Sequence, residues 1–386
     1  MLRFLTAGES HGKGLTVILE GLPQGVRVQA SLINETLARR QGGYGRGGRM
    51  EIEKDKVQIL SGVRNGYSIG SPISFFIENK DWKNWKNIMD SENAAKMNEK
   101  TVTRPRPGHA DLSGALKYGH LDIRNVLERS SARETAARVA AGSICELFLK
   151  HFKIEVIGFV RGIFKHFCVD VPFSPSELRD KTSASSLYMP DMLAEKKGVS
   201  AIDEAKKKGD SLGGVIEVRV YGLPPGLGSY VHYDRKLDGS IALQLMSINA
   251  IKGVEIGLGF EAARNCGSKV HDEIFYSSKK GFFRKTNRAG GIEGGMTNGE
   301  VVIVRAAMKP IPTLYTPLSS VDILTKKPFK AAVERSDVCA VPAASVVCET
   351  AVAFEIAKAF LTKFGGDSIK EIRRNYDGYL KQIKNF

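Results

Sequence analysis

Histidine, arginine and hydroxyl side chains recur in this chain inside short segments rich in glycine, proline or serine. That grouping suits proton transfer beside bound anions. Gly8-Glu-Ser10-His11-Gly12 sets an imidazole next to a hydroxyl. Thr103-Arg104-Pro-Arg106-Pro-Gly-His109-Ala-Asp111 holds its arginines on a backbone stiffened by proline. Glu128-Arg129-Ser130-Ser131-Ala-Arg133-Glu134-Thr135 puts two hydroxyls and two guanidinium groups at a predicted helix start. Free N–H groups and the helix dipole favour a phosphate there. Lys309-Pro310-Ile311-Pro312-Thr313 presents an ammonium and a hydroxyl from a stiff loop, and Arg335-Ser336-Asp337 precedes a helix expected to begin near Pro342. Each segment also has an ordinary reading. Serines at helix starts are caps, an arginine beside an aspartate is a surface ion pair, and a lone histidine is a core or surface group. Several of them in one chain favour an anionic active site.

Other motifs carry less. Gly8 to Gly12 fits the G-x-S-x-G nucleophile elbow, which would make Ser10 a hydrolase nucleophile, but that elbow needs a strand-to-helix turn and residues 15–19 favour strand. A serine hydrolase is retained as a rival. Gly43-Tyr-Gly45-Arg-Gly-Gly48 and Gly257-Leu-Gly259-Phe-Glu-Ala262 look like dinucleotide fingerprints. The first follows a helix, and the second lacks an acid-tipped strand about 20 residues on. No P-loop or zinc spacing occurs, so no metal is expected.

The elements that must position these residues are read from periodicity. Strands are expected at 2–7 and 15–20, joined by the glycine-rich turn, and at 57–63, 73–78, 215–221 and 301–306. Helices are expected from Ser31 into a mobile loop over 39–49, and at 131–150, 236–250 and 343–364, with an amphipathic tail over 366–386. Segments 79–100 and 168–212 read as surface insertions, the second with one short helix. The fold class is α+β, a single domain over 1–386. Strand-Gly21-Leu-Pro-Gln-Gly25-helix recurs 201 residues later as strand-Gly222-Leu-Pro-Pro-Gly226-helix, and Arg129-Ser130 with Glu134-Thr-Ala is echoed by Arg335-Ser336 with Glu349-Thr-Ala. Two related halves would produce this, as would the general likeness of strand-turn-helix units.

The 386 residues include 57 Lys+Arg against 42 Asp+Glu, a net charge of +15, and 40 glycines. The lysines are scattered and aromatics are few, which argues against a basic RNA-binding protein, the second rival, and towards small anions. Five cysteines without a C-x-x-C pair suggest buried free thiols in a reducing compartment. With no signal peptide and no apolar stretch of about 18 residues, a cytoplasmic protein without membrane attachment is expected.

Three segments resemble, in order, the three signature motifs of the chorismate synthase family: Gly8 to Gly12, Glu128 to Thr135 running through Gly142-Ser143, and Arg335 to Asp337 running through Glu349-Thr350. Arg104 to Asp111 and Gly290-Gly-Ile-Glu-Gly-Gly295 extend the resemblance, which spans residues 8–350. It implies a lyase of the shikimate pathway that converts 5-enolpyruvylshikimate 3-phosphate to chorismate and phosphate by anti-1,4-elimination. Reduced FMN is required although no net redox change occurs. By the same resemblance His11 is the acid at the leaving phosphate, His109 keeps the flavin suitably protonated, and Asp337 helps shuttle the ring proton. Substrate contacts fall to Ser10, Arg40, Arg46, Arg49, Arg104 and Arg133. Flavin contacts fall to Arg129, Ser130, Ser131, Asn249, Ala250, Gly294, Lys309 to Thr313, and Arg335, with loops 41–49 and 270–298 as a lid. A β-α-β sandwich with internal duplication and a homotetramer are also implied. Some members reduce flavin with NADPH, and the lack of a dinucleotide fingerprint favours an external flavin reductase here.

Overall fold

Two antiparallel sheets divide the chain between them, and each has the same internal strand order. The computed structural model describes residues 1–47, 54–92, 95–170, 172–333 and 336–386. The first sheet comprises Arg3–Ala7, Gly14–Glu20, Val57–Ile59 and Ile73–Glu78, in the order first, second, fourth, third. Leu15, Val17 and Leu19 on the second strand, and Ile73, Phe75 and Ile77 on the fourth, alternate inward and are buried, as a half-covered sheet requires. The second sheet repeats this with Glu155–Ile163, Gly214–Tyr221, Ile251–Ile256 and Val302–Met308, plus the short edge strand His166–Phe167. Every pairing is antiparallel.

In both sheets the second strand ends in the Gly-Leu-Pro-x-Gly turn. All four of its glycines sit in the left-handed region, with φ of 87° and 95° at Gly21 and Gly25 and of 78° and 88° at Gly222 and Gly226. A helix then follows in each case, Ala30–Gln41 and Leu237–Met246, and a long helix comes after the fourth strand, Thr135–Lys150 and Val341–Phe364. The two long helices pack on each other, the first against the four-stranded sheet and the second against the five-stranded one. Gly142 permits their close approach, because a Cβ there would collide with the Thr350 carbonyl. The Val341–Phe364 helix buries residues on all its faces, consistent with its apolar composition.

Several elements differ from the sequence-based expectation. Ala30–Gln41 starts at Gln29 without a side-chain cap and contains Arg39 and Arg40, so part of the expected loop is helix. The residues after it are anchored rather than loose: the Tyr44 N–H donates to Ser186 O at 2.8 Å, and Gly45 O accepts from Val338 N at 2.9 Å. The helix expected from Ser131 begins at Thr135, because Ser131 caps a short 3-10 turn, Ala132–Glu134. The helix expected over 236–250 is shorter, Leu237–Met246. The 168–212 insertion holds two helices, Pro175–Ser183 and Met192–Lys208. The second had been masked by its lysines; its buried stripe is only Ala194, Gly198, Ile202 and Ala205. Cys145, Cys168, Cys339 and Cys348 are buried free thiols, and Cys266 is exposed. Among the described residues no helix is long and apolar enough to cross a membrane.

Candidate active site

A cleft of about 690 Å³ opens where the end of the first helix, the 130–135 turn, the 308–313 loop and the start of the Val341–Phe364 helix meet. Its wall is rich in cationic side chains. Arg40, Arg106 and Arg133 are each at most 7% exposed. The carboxylates paired with them are few. Asp55 receives Arg133 Nη1 at 2.6 Å and lies 3.7 Å from Arg40. Asp337 pairs with Arg46 at 3.0 Å and also accepts the Gly47 N–H at 2.6 Å. Asp111 accepts from Arg106 Nε at 2.8 Å. Among the described residues, five cationic side chains, counting Lys309, line the cleft, with Asp337 in its wall and Asp55 and Asp111 behind it. Burial, with Arg133 and Arg46 close by, pushes the Arg40 guanidinium down to about 10 in spite of Asp55. A wall this rich in guanidinium groups suits an anionic ligand, which charge-assisted hydrogen bonds would hold.

Local structure fixes these side chains. Arg40 projects from the last turn of its helix, where Nε donates to Thr135 Oγ1 at 3.0 Å and Nη2 to Ala132 O at 2.9 Å. Asn79, just past the fourth strand of the first sheet, accepts from Arg133 Nε and Nη2 at 2.9 and 2.8 Å. Its amide donates in the other direction to Gly12 O at 2.8 Å and Ser10 O at 3.3 Å, which ties the His11 loop to the arginine cluster. At the far wall, the Lys309 ammonium donates to Gly108 O. Burial, with Lys252 close by, lowers its proton affinity.

Both histidines singled out in the sequence have a carboxylate at Nδ1. His109 lines the cleft, with Nδ1 2.5 Å from Asp111 Oδ1. Asp111 is fully buried. Burial alone would raise its carboxyl, but hydrogen bonds from His109 and Arg106 hold it well below the ordinary carboxylate range. His11 has Nδ1 2.8 Å from Glu128 Oε1 and its ring stacked on Trp85.

The cleft also holds polar atoms with nothing to bond. The Ser130 hydroxyl and the Asn249 side-chain oxygen are buried and have no hydrogen-bond partner among the described residues. The next residue, Ala250, adopts φ 68°, a left-handed conformation that costs about 1–3 kcal/mol for a non-glycine residue and tends to persist at binding sites. Orphaned groups, a strained backbone and a cation-rich wall together fit a phosphate-bearing ligand with further polar edges.

The cleft brings together Arg40, Arg46, His109, Ser130, Ser131, Arg133, Asn249, Ala250, Lys309, Ile311, Pro312, Thr313 and Asp337. Ser10, His11, Arg104, Arg129, Gly294 and Pro310 do not line it. Arg104 lies over the Phe329 ring at 3.9 Å, and Arg129 donates to Thr6 O and Gly8 O at 2.9 and 3.0 Å. Arg49 and Arg335 fall outside the described residues. No motif marks Asp55, Asn79 or Trp85, which the fold brings in from just before one strand, just after another and from within the helix Trp82–Met89. Ser10 is buried in a turn between two antiparallel strands rather than on a strand-to-helix elbow, which removes the main support for a serine hydrolase. No group of three or more His, Cys, Asp or Glu side chains among the described residues could hold a metal.

A scaffold of mixed helix and sheet with a cation-rich cleft and carboxylate-paired imidazoles has the equipment of an enzyme that moves protons. A sequence model of the family described as chorismate synthase matches residues 2–361. Curated relatives named chorismate synthase include those of Geobacter metallireducens, 60% identical, Desulforamulus reducens, 60%, and Shouchella clausii, 58%, each covering all of both chains. A crystal structure of chorismate synthase superposes with a TM-score of 0.81 at 45% identity, covering 100% of this chain and 99% of that one. The chain belongs to the chorismate synthase family and is a lyase.

Proposed function

We propose that the protein converts 5-enolpyruvylshikimate 3-phosphate to chorismate and phosphate by anti-1,4-elimination, with reduced FMN required and no net redox change. The observation that carries this reading is the cluster of cationic side chains that lines the cleft, Arg40, Arg46, Arg106, Arg133 and Lys309. The substrate brings two carboxylates and a phosphate, and the flavin brings another phosphate, which together supply matching negative charge. Arg40, Arg46 and Arg133 bind the substrate anions in a water-poor wall where charge-assisted hydrogen bonds are strong. Ser130, Ser131, Asn249, Ala250 and the Lys309 to Thr313 loop hold the flavin, and the orphaned Ser130 hydroxyl and Asn249 oxygen are its natural partners. Held by these residues, reduced FMN would supply transient electron donation to the substrate ring, with no net change in its own oxidation state.

The chain's own residues handle the protons. His11 lies beside the cleft rather than in its wall, tied to Arg133 through Asn79, and its Nε2 donates to the departing phosphate oxygen, since Nδ1 is committed to Glu128. His109, oriented by Asp111, keeps the flavin edge suitably protonated. Asp337, held by Arg46, passes on the proton lost from the ring. The shared strand order of the two sheets supports a duplicated β-α-β sandwich. A cytoplasmic homotetramer supplied by an external flavin reductase completes the reading. Anaerobic titration with reduced FMN should show much tighter binding in the presence of 5-enolpyruvylshikimate 3-phosphate. Equal affinity with and without it would count against a shared site.

A further inference from the structure

We propose that Glu128 is the positioning residue of His11 and that Trp85 completes the seat, so that proton exchange at this imidazole runs through Nε2 alone. The inference rests on reading His11 as the acid of the reaction. Nδ1 lies 2.8 and 3.1 Å from the two carboxylate oxygens of Glu128, and the His11 backbone N–H donates to the same carboxylate at 2.7 Å. Three contacts from one carboxylate fix the ring's position and its rotation. The carboxylate is 1% exposed and the imidazole 12% exposed, so water does not compete for this pairing. A nitrogen facing an ionised carboxylate carries hydrogen whether the ring is neutral or charged, which leaves Nε2 as the only exchanging atom.

Glu128 stays ionised. Burial alone would raise its carboxyl, but the His11 hydrogen bonds and charge, with Arg124, bring it below its ordinary value. Arg124, one helical turn back, lies 3.4 Å from Glu128 Oε1 and anchors itself by donating to Lys100 O at 3.1 Å. Trp85 covers the imidazole with ring centroids 3.9 Å apart and planes at 27°. The indole face packs flat on the imidazole and closes the side of the ring away from solvent. Three other charged groups approach the indole: Arg124 at 5.3 Å, Lys100 at 5.9 Å, and Asp81, which accepts from the indole N–H at 3.0 Å. The helix Trp82–Met89 buries no side chain, so its Trp85 ring is placed on His11 rather than in the core. The segment expected to be a mere surface excursion thus provides one wall of the histidine's seat.

The stack gives a readout independent of turnover. The chain has two tryptophans, so Trp82→Phe leaves Trp85 as the only one, and a protonated imidazole quenches an indole stacked on it. In that background the emission of the ligand-free protein should show a pH transition that His11→Ala abolishes. Glu128→Gln keeps the size of the side chain and removes the charge. Its transition should be displaced from that of the Trp82→Phe parent, because the charge facing Nδ1 is gone. In the reaction, kcat should fall about 10- to 100-fold with KM little changed, as for other residues that orient a reacting group. An unmoved fluorescence midpoint in Glu128→Gln, with or without a lower Tm, would assign Glu128 to the fold alone and overturn the proposal. If His11→Ala keeps full kcat, it is the reading of His11 as the acid that fails, and the fluorescence midpoints still judge Glu128 separately.

Discussion

Asp111 illustrates how one side chain couples stability to chemistry in this cleft. It is fully buried, accepts from Arg106 Nε at 2.8 Å and from the Arg106 backbone N–H at 3.0 Å, and lies 2.5 Å from His109 Nδ1. Its carboxyl is held below the ordinary range in the folded chain. A group with a depressed folded value contributes stability that is fully present above its unfolded value, near 4, and is lost as pH falls towards the folded value. Asp111→Asn should therefore lower unfolding stability by about 3 kcal/mol at pH 7, by leaving a buried cation without its partner. In denaturant titrations that deficit should shrink between pH 5 and pH 3. A deficit of constant size across this range would mean that Asp111 matters only for packing.

At the scale of elements, the two long helices meet around an acidic pair, buried Glu349 and half-buried Glu146. Glu349 on the Val341–Phe364 helix accepts from both terminal nitrogens of Arg39, at 2.7 and 3.0 Å, and from the Gly158 backbone N–H at 2.6 Å. These bonds lock the first helix, and with it Arg40, against the core. Glu146 on the facing helix has no such support, and its Oε1 is buried without a hydrogen-bond partner among the described residues. Burial and the Glu349 charge push its carboxyl up to about 8, although Arg39, Lys150 and Arg179 pull the other way. A carboxyl raised on folding costs stability as pH climbs from its unfolded value towards the folded one. Glu146→Gln should match the parent near pH 5 and exceed it by about 2 kcal/mol at pH 8. Calorimetry at both values tests this, and a variant less stable at pH 8 would show that the ionised carboxylate is instead a needed partner.

These helices also show which features could be read before folding. The apolar run of the Val341–Phe364 helix and the alternation of Gly14–Glu20 follow directly from composition, and both were legible. The Met192–Lys208 helix was not, since its buried face is made of small residues among lysines.

Across the whole molecule, the loops of the candidate site were visible as contiguous motifs, whereas the groups that brace them are scattered. Asn79 and Asp55 lie 54 and 78 residues from the Arg133 they hold, in segments without any motif. Only the fold, with its strand ends gathered at one edge of the helix pair, shows that they belong to the cleft. The net charge of +15 takes a new meaning from this arrangement. Much of it is scattered lysine, and the part that bears on the cleft is a small set of guanidinium groups in its wall. On the proposed function, the reaction should depend on both a polyanionic substrate and a flavin phosphate.

Anaerobic phosphate release from 5-enolpyruvylshikimate 3-phosphate tests the central claim most directly. Catalytic amounts of reduced FMN should yield phosphate and chorismate in equal amounts, while oxidised FMN, or NADPH added as the sole reductant, should yield neither. Phosphate release at the same rate without reduced flavin would contradict the account.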